Sequence, residues 1–378
     1  MNMVNSKFLT AVAVLVSGVI GVGIFGVPFV FAKAGLLTGL LFLVGLAVLI
    51  LAVNLAYGEV ILRTDQAHQL VGYAGIYLGD FAKKLTFFAF VLGIYSALLA
   101  YIVVAGEFLT NIVSFKFYFS PGSLGTLFFV AGALLLAAGF KTIVKVDFWA
   151  ALLYLAAVAG IGLLSISHLD FSNFTLFNGE FWFLPYGVIL FALTGMSSIV
   201  LQREVLEGEE FLLKKAILWG TLIPAIIYLF LAVVVVGISG EATSVEAMAG
   251  LVPFLGQKII ILGSLFGLLA IFTSFINLGR VLQESFQFDW HLNKFLAWFL
   301  ALFPPFFIFL LGVRDFINII SLAGALAIGL QSIIFIFIYG RVKKLGHRIP
   351  EYSLGLPKWF WYLAVALFSL GAVLALIK

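Results

Sequence analysis

The chain has 378 residues, of which 64% are hydrophobic and 10% are charged, and 21 basic against 17 acidic residues give a net charge of +4. Because soluble domains carry about 25% charged residues, this composition excludes a water-soluble enzyme, a nucleic-acid-binding protein and a disordered chain, and it indicates an integral membrane protein. The absence of cysteine also excludes disulfides, thiolate nucleophiles and thiolate metal sites.

Long apolar runs recur along the whole sequence. A hydrocarbon core about 30 Å thick needs about 20 apolar residues per helix, and eleven such runs are separated by charged or turn residues. Continuously apolar runs such as 36–57 exclude the alternating strands of a membrane barrel. We therefore predict an all-α polytopic protein with one transmembrane domain over residues 1–378. The predicted spans are 8–32, 36–61, 85–110, 122–140, 147–167, 181–201, 214–239, 258–280, 293–313, 316–340 and 357–377.

The positive charges are distributed unequally between the two sides that these spans imply. If the N-terminus is cytoplasmic, sixteen of the 21 Lys and Arg residues fall in inner segments and five fall outside. Positively charged loops favour the cytoplasmic side of a membrane. The pattern therefore predicts a protein of the cytoplasmic membrane with its N-terminus inside and its C-terminus outside.

Span 1 has a composition that opposes a continuous helix. It contains Gly18, Gly21, Gly23 and Gly26, followed by Pro28. In a helix interior each glycine costs about 1 kcal/mol and a proline about 3 kcal/mol. Lipid cannot satisfy the backbone groups that a break would free, so a break must line a cavity or lie within protein. The pattern predicts such a break, and close packing through small residues is the alternative interpretation.

Span 6 has a similar polar interruption in its middle, where the segment 191–198 reads FALTGMSS. It lies five spans after the first interruption, and an odd number of spans per repeat inverts the second copy. We therefore predict two inverted repeats, 8–167 and 181–340, with a site between their broken helices. The span 357–377 is then an additional helix.

Several motifs resemble those of a known transporter family. The run IGVGIFGVPFVFAKAG (20–35), with the segments 58–64 and 68–79, resembles the amino acid permeases of the amino acid–polyamine–organocation superfamily, in particular the amino acid/auxin permease branch with eleven spans. The sequence is also similar to the aromatic amino acid permeases. Segments 191–206 and 239–251 resemble span 6 and an outer loop of the amino acid/auxin permeases. The resemblance implies secondary active transport, with the α-carboxylate and α-amino groups of an amino acid held by the unwound parts of spans 1 and 6.

The resemblance also implies which residues contact the substrate. They lie in or beside the two interruptions or on span 3, where Tyr101 is the expected outer gate. Packing is the alternative for Tyr101 and for Phe191, because most membrane tyrosines are interfacial or packed and the chain has 42 phenylalanines. The expected substrate-binding residues are Gly21, Val22, Gly23, Ile24, Gly26, Tyr101, Phe191, Ala192, Thr194 and Gly195.

Glu59 ends span 2 and is one of few acidic residues within a predicted span. The resemblance places an acid of span 2 against the break of span 6, where it would brace the unwound segment or carry a coupling proton. The alternative is an ion pair with Arg63, which is four residues later on the same helical face. Both interpretations stay open.

Thr273 and Ser274 are adjacent hydroxyl residues in the middle of span 8. Sodium-coupled members of the superfamily use such a pair, so the resemblance implies a sodium site formed by Thr273 and Ser274 with carbonyls near Gly18 and Gly21. The alternative is that the hydroxyls bond back to their own helix. Proton-coupled relatives can place a lysine in span 5, whereas 148–167 has no basic residue, which favours sodium.

Other functional classes fit the sequence less well. The four histidines, His68, His168, His291 and His347, fall in predicted loops, and neither an HExxH nor a Walker A motif occurs. A channel would repeat a pore-lining ring across subunits. We therefore predict a cation-coupled symporter of neutral amino acids that works by alternating access, with no cofactor besides the transported Na⁺ or H⁺. A proton-coupled aromatic permease of the tyrosine/tryptophan type is the alternative; the indicated partners are the amino acid and membrane lipid.

Overall fold

The fold is helical throughout the part of the chain that the computed structural model describes. Those residues are 3–66, 68–113, 119–139, 156, 160, 162–163, 166–288 and 290–377, and they form helices and loops without a β-strand. Seven helices are long and apolar enough to cross a membrane, and a pair of helices bent by 58° passes the same test as one span. The predicted all-α polytopic fold is therefore confirmed.

The first half of the chain contains six described helices, which are α1 (Met3–Val19), α2 (Gly23–Ala34), α3 (Leu36–Arg63), α4 (Leu70–Leu78), α5 (Asp80–Val113) and α6 (Pro121–Ala137). The second half contains α7 (Leu184–Ala192), α8 (Met196–Val205), α9 (Leu213–Ser239), α10 (Gln257–Phe288), α11 (Lys294–Leu310), α12 (Phe316–Leu345) and α13 (Lys358–Ile377). A short helix, Val252–Leu255, precedes α10, and residues Ala323–Ile328 of α12 form π-helical turns.

Ten of the eleven predicted spans coincide with a described helix or helix pair. The predicted span 147–167 falls almost entirely outside the described residues, so the count of eleven stays a prediction. Four predicted ends were wrong by five residues or more, and they include the start of α1 at Met3 and the end of α12 at Leu345. Helix α5 begins five residues before the predicted position 85, and α10 continues eight residues beyond the predicted position 280.

Local sequence explains several helix starts. Ser120 accepts a hydrogen bond from the Ser123 N–H and is followed by Pro121 in the first turn of α6. Asn293 caps α11 in the same way. Side-chain oxygens at these positions satisfy N–H groups that have no partner within the helix, and a proline lacks the N–H that would otherwise be unpaired.

The helix pair α1/α2 packs antiparallel to the helix pair α7/α8. A Cβ built on Gly18 would lie 2.0 Å from Ser198 Oγ, and one on Gly23 would lie 2.7 Å from the Ala192 Cα. Residue numbers therefore rise along one pair while they fall along the other. Glycine at both positions permits this approach, because a side chain would overlap the partner helix.

Three helix ends meet on one side of the bundle. Lys7 in α1 donates a hydrogen bond to the Glu207 carbonyl, which follows α8, at 2.9 Å. Arg203 near the end of α8 donates to the Ile61 carbonyl near the end of α3 at 2.8 Å. We call this side, where α1 begins, the N-terminal side.

Candidate functional site

The first element of the site is the interruption between α1 and α2. Helix α1 ends at Val19 and α2 begins at Gly23. Among the described residues, no backbone acceptor lies within hydrogen-bonding distance of the N–H groups of Gly21, Val22 and Gly23. The interruption lies several residues before Pro28, which sits inside α2. The unwound residues therefore present free backbone donors at the N-terminus of α2.

The second element is the interruption between α7 and α8, which spans Leu193–Gly195. Thr194 uses its hydroxyl to donate to the Leu190 carbonyl at 2.9 Å. The N–H groups of Gly195, Met196 and Ser197 have no backbone acceptor within the described part of the chain. A second helix N-terminus with free donors thus faces the first.

A tyrosine of α9 ties the two interruptions together. The Tyr228 hydroxyl lies 2.9 Å from the Val19 carbonyl oxygen and 2.9 Å from the Ala192 carbonyl oxygen. Its side chain is fully buried. One hydroxyl therefore serves both carbonyls at the points where α1 and α7 end, and sequence reasoning missed this residue because its partners come from two other helices.

The interruptions open onto a cavity in the middle of the bundle, which we call the central cavity. Most of the expected substrate-binding residues line it. The expected residues that line it are Gly18, Gly21, Val22, Gly23, Tyr101, Phe191, Ala192, Thr194 and Gly195. The structure thus brings residues of spans 1, 3 and 6 together around one cavity, and their role in substrate binding stays a prediction.

Two expected substrate residues do not line this cavity. Ile24 is buried within α2. A Cβ on Gly26 would lie 2.8 Å from Ile320 Cδ1 of α12 and 3.2 Å from Val188 Cγ1 of α7. Gly26 therefore packs α2 against its neighbours where the helix has already re-formed, and contact of these two residues with the substrate stays a prediction.

The wall opposite the interruptions comes from α5 and α12 and was not identified from the sequence. Gly93 and Ala97 lie four residues apart and so share one face of α5. Ile328 and Gln331 of α12 also line the cavity, and Gln331 Nε2 donates to the Ala89 carbonyl at 3.1 Å. The available sequence signals were the small pair in an apolar span and the isolated amide in span 10.

Tyr101 lies over the break of span 1. Its hydroxyl is 2.8 Å from the position that a Cβ on Gly21 would take, and it lies beside Ser274 of α10. Tyr101 also lines a second, more polar cavity that continues towards the N-terminal side, which we call the polar cavity. The tyrosine therefore borders both cavities.

The polar cavity includes only one member of the expected sodium pair. Ser274 lines it together with Gly18, Ser198 and Asn277. Thr273 does not line it, and its hydroxyl donates to the Ala270 carbonyl of the same helix at 3.0 Å. The alternative interpretation, a back-bonded hydroxyl, therefore describes Thr273, and Ser274 alone faces the break of span 1.

Glu59 lies in a cluster of its own. Its buried carboxylate accepts hydrogen bonds from Arg63 Nε at 2.9 Å, Tyr339 Oη at 2.8 Å, Ser353 Oγ at 2.8 Å and the Leu354 N–H at 2.7 Å. These partners belong to α3, α12 and the loop after α12. The expectation that Glu59 braces the break of span 6 was therefore wrong, and the structure supports the ion pair with Arg63.

The loop after α12 closes over this cluster, which we call the Glu59 cluster. Tyr352 donates from its hydroxyl to the Leu55 carbonyl at 2.6 Å, and the N–H groups of His347 and Arg348 both donate to the Arg63 carbonyl. Burial, together with the nearby Glu59 carboxylate, raises the pKa of Tyr352 well above its ordinary value, so this side chain stays a neutral donor. The cluster binds α3, α12 and the loop into one unit.

Comparison with known proteins identifies the family. The family model described as the tryptophan/tyrosine permease family matches residues 4–348, and no curated protein matches the chain. The match supports an aromatic amino acid permease, and the more specific assignment to the amino acid/auxin branch is not supported. The protein is thus a multi-pass membrane permease for amino acids and not an enzyme. With its two interrupted helices around a central cavity, the chain belongs to the tryptophan/tyrosine permease family.

Proposed function

We propose that the protein is a cation-coupled symporter of aromatic amino acids that works by alternating access. The observation that carries this proposal is the central cavity, where two helix N-termini with free N–H groups face an uncharged pocket of apolar and aromatic side chains. Family membership supports tryptophan and tyrosine as the substrates. The sequence predicted a neutral amino acid as the substrate, and the proposal narrows this prediction to an aromatic amino acid.

Backbone groups supply the recognition of the amino acid itself. The N-termini of α2 and α8 carry partial positive charge and free donors, which suits an α-carboxylate. The ends of α1 and α7 carry the opposite partial charge and suit an α-ammonium group. Recognition through backbone needs no charged side chain, and none of the described residues that line the central cavity is charged.

The far wall suits a large flat side chain. Gly93 and Ala97 are small residues on α5, and Phe90 and Ile328 supply apolar contact. Small-molecule pockets are mostly apolar with a few placed polar groups, and an aromatic ring gains most from such burial. A cationic or acidic side chain would find no counter-charge here.

The pairing of helices supports the inverted repeats 8–167 and 181–340, with 357–377 as an added helix. Besides the antiparallel crossing of spans 1 and 6, α3 packs on α9 and α5 packs on α10. Asn54 in α3 donates to Thr221 Oγ1 in α9 at 3.1 Å. Each pair joins equivalent spans of the two repeats, and rocking of one group of spans against the other around the site would give alternating access, with the N-terminus cytoplasmic.

The coupling ion has two candidates. Ser274 and the carbonyls near Gly18 form the sodium candidate beside the break of span 1. Thr273 does not line the polar cavity, which weakens a sodium site that needs both hydroxyls. This observation favours proton coupling as the second candidate.

Uptake by purified protein in liposomes tests the proposal. Labelled tryptophan, tyrosine, leucine and alanine are supplied under an inward sodium gradient, an inward proton gradient, or neither. We expect cation-driven uptake of tryptophan and tyrosine that exceeds uptake of the other two. Ser274→Ala should reduce sodium-driven uptake while the neighbouring Thr273→Ala leaves it unchanged. No uptake or exchange of either aromatic amino acid would contradict the proposed substrate class.

A further inference from the structure

Tyr57 of α3 is one of the residues that line the central cavity, and it carries a buried hydroxyl. Its side chain is fully buried, and its oxygen has no hydrogen-bond partner among the described residues. Tyr186, Gln202, Glu209 and Ser332 also carry unpaired buried polar atoms, but they do not line the central cavity. Buried polar groups are usually hydrogen-bonded, so an exception in a binding cavity requires an explanation.

The aromatic ring that carries this hydroxyl is held from two sides. The Tyr73 ring lies 5.8 Å from it with an interplanar angle of 88°, and the Phe335 ring lies 5.5 Å from it with an angle of 73°. Edge-to-face contacts of this kind are favourable and orient the rings. The Tyr57 ring is therefore held in place before any ligand binds.

The surroundings of Tyr57 are those of a pocket for a ring. Phe335 lies four residues after Gln331 on α12, and Tyr73 lies three residues after Leu70 on α4, so each shares a helix face with a residue that lines the cavity. The Gln331 amide nitrogen is already bonded to the Ala89 carbonyl. Tyr57 thus adds an uncommitted polar group to a mainly apolar wall.

We propose that the Tyr57 hydroxyl hydrogen-bonds to the polar atom of the ligand's aromatic side chain and so determines specificity. It would accept from the indole N–H of tryptophan, and it would donate to or accept from the phenol of tyrosine. Phenylalanine has no such atom and would leave the hydroxyl unpaired. A site built to hydrogen-bond a substrate group rejects the analogue that lacks it. This inference rests on the proposed function.

Binding of three ligands to Tyr57→Phe tests the inference. The substitution keeps the ring and its two aromatic contacts and removes only the oxygen. We expect the Kd values for tryptophan and tyrosine to rise about three- to tenfold, as for one lost hydrogen bond, while the Kd for phenylalanine stays unchanged. Tyr186→Phe is the matched control, because it removes an equally unpaired buried hydroxyl that does not line the cavity, and all three Kd values should stay unchanged.

A second measurement uses the unaltered protein and so does not depend on the folding of a variant. The analogue benzothienylalanine has the shape of tryptophan but carries sulfur in place of the indole N–H. We expect the wild type to bind tryptophan more tightly than this analogue, and Tyr57→Phe to lose that preference. Equal binding of the two ligands by the wild type would overturn the inference.

The outcomes separate this inference from the proposed function. If the wild type binds none of the three aromatic amino acids, the proposed substrate class fails and the inference falls with it. If the wild type binds them and Tyr57→Phe changes no Kd, or weakens all three equally, only the inference is overturned.

Discussion

The central cavity and the Glu59 cluster both contain polar groups inside an apolar bundle, but they differ in whether those groups have hydrogen-bond partners. The Glu59 carboxylate accepts four hydrogen bonds. Around the cavity, six N–H groups at the two interruptions have no backbone acceptor among the described residues, and the Tyr57 hydroxyl is unpaired. Since unpaired buried groups are costly, a satisfied charge indicates a structural role and a set of unpaired groups indicates a place for a ligand.

The largest expected effect comes from a substitution at the central cavity. Gly23→Leu would place a side chain where a Cβ already lies 2.7 Å from the Ala192 Cα. Because this overlap is with the backbone of α7, we expect α2 and α7 to be forced apart at the site and substrate binding and uptake to be lost altogether. Uptake is measured per amount of folded protein in liposomes.

Gly45→Leu is the matched control for this substitution. Gly45 also lies in a helix, but a Cβ there would meet no atom within 4 Å. This variant should transport like the wild type. Normal uptake by folded Gly23→Leu protein would contradict the placement of the site.

The next largest effect concerns the Glu59 cluster. Glu59→Gln removes the charge that four donors share, and breaking a buried pair in this way costs about 3 kcal/mol. We expect the free energy of unfolding to fall by about that amount, seen as a lower unfolding midpoint in detergent, while relative affinities for tryptophan and phenylalanine stay unchanged.

Glu351→Gln provides the control, because it breaks the more exposed ion pair with Arg348. Exposed pairs contribute about 0–1 kcal/mol, so this variant should unfold close to the wild-type temperature. A Glu59→Gln protein of normal stability that has lost proton-driven uptake would restore Glu59 as a coupling residue.

The smallest effect concerns the link between the two interruptions. Tyr228→Phe leaves the Val19 and Ala192 carbonyls without their shared donor. Losing one such bond costs about 1 kcal/mol, which corresponds to about fivefold in the Kd for tryptophan. Tyr95→Phe is the control, because its hydroxyl donates to the Leu300 carbonyl and it does not line the central cavity. Equal effects of the two variants on the Kd would contradict the proposed link.

The break of span 1 shows which structural features the local sequence predicts and which it does not. The density of glycine predicted an interruption, and α1 and α2 are indeed separate helices. Its position was not predictable from Pro28, which α2 accommodates. The interruption lies instead where Tyr101 covers Gly21 and Tyr228 holds the end of α1, and both tyrosines come from other spans.

Residue type and spacing alone determined that this protein is a helical membrane protein, where most of its spans lie, and which two spans are interrupted. These properties follow from the length of apolar runs and from the intrinsic helix cost of glycine, so they are local. Only the tertiary structure decided that Ser274 and not Thr273 lines the polar cavity, that Glu59 is satisfied and that Tyr57 is not. Whether a buried polar group finds a partner depends on residues hundreds of positions away, and that pairing separates the binding cavity from the structural cluster.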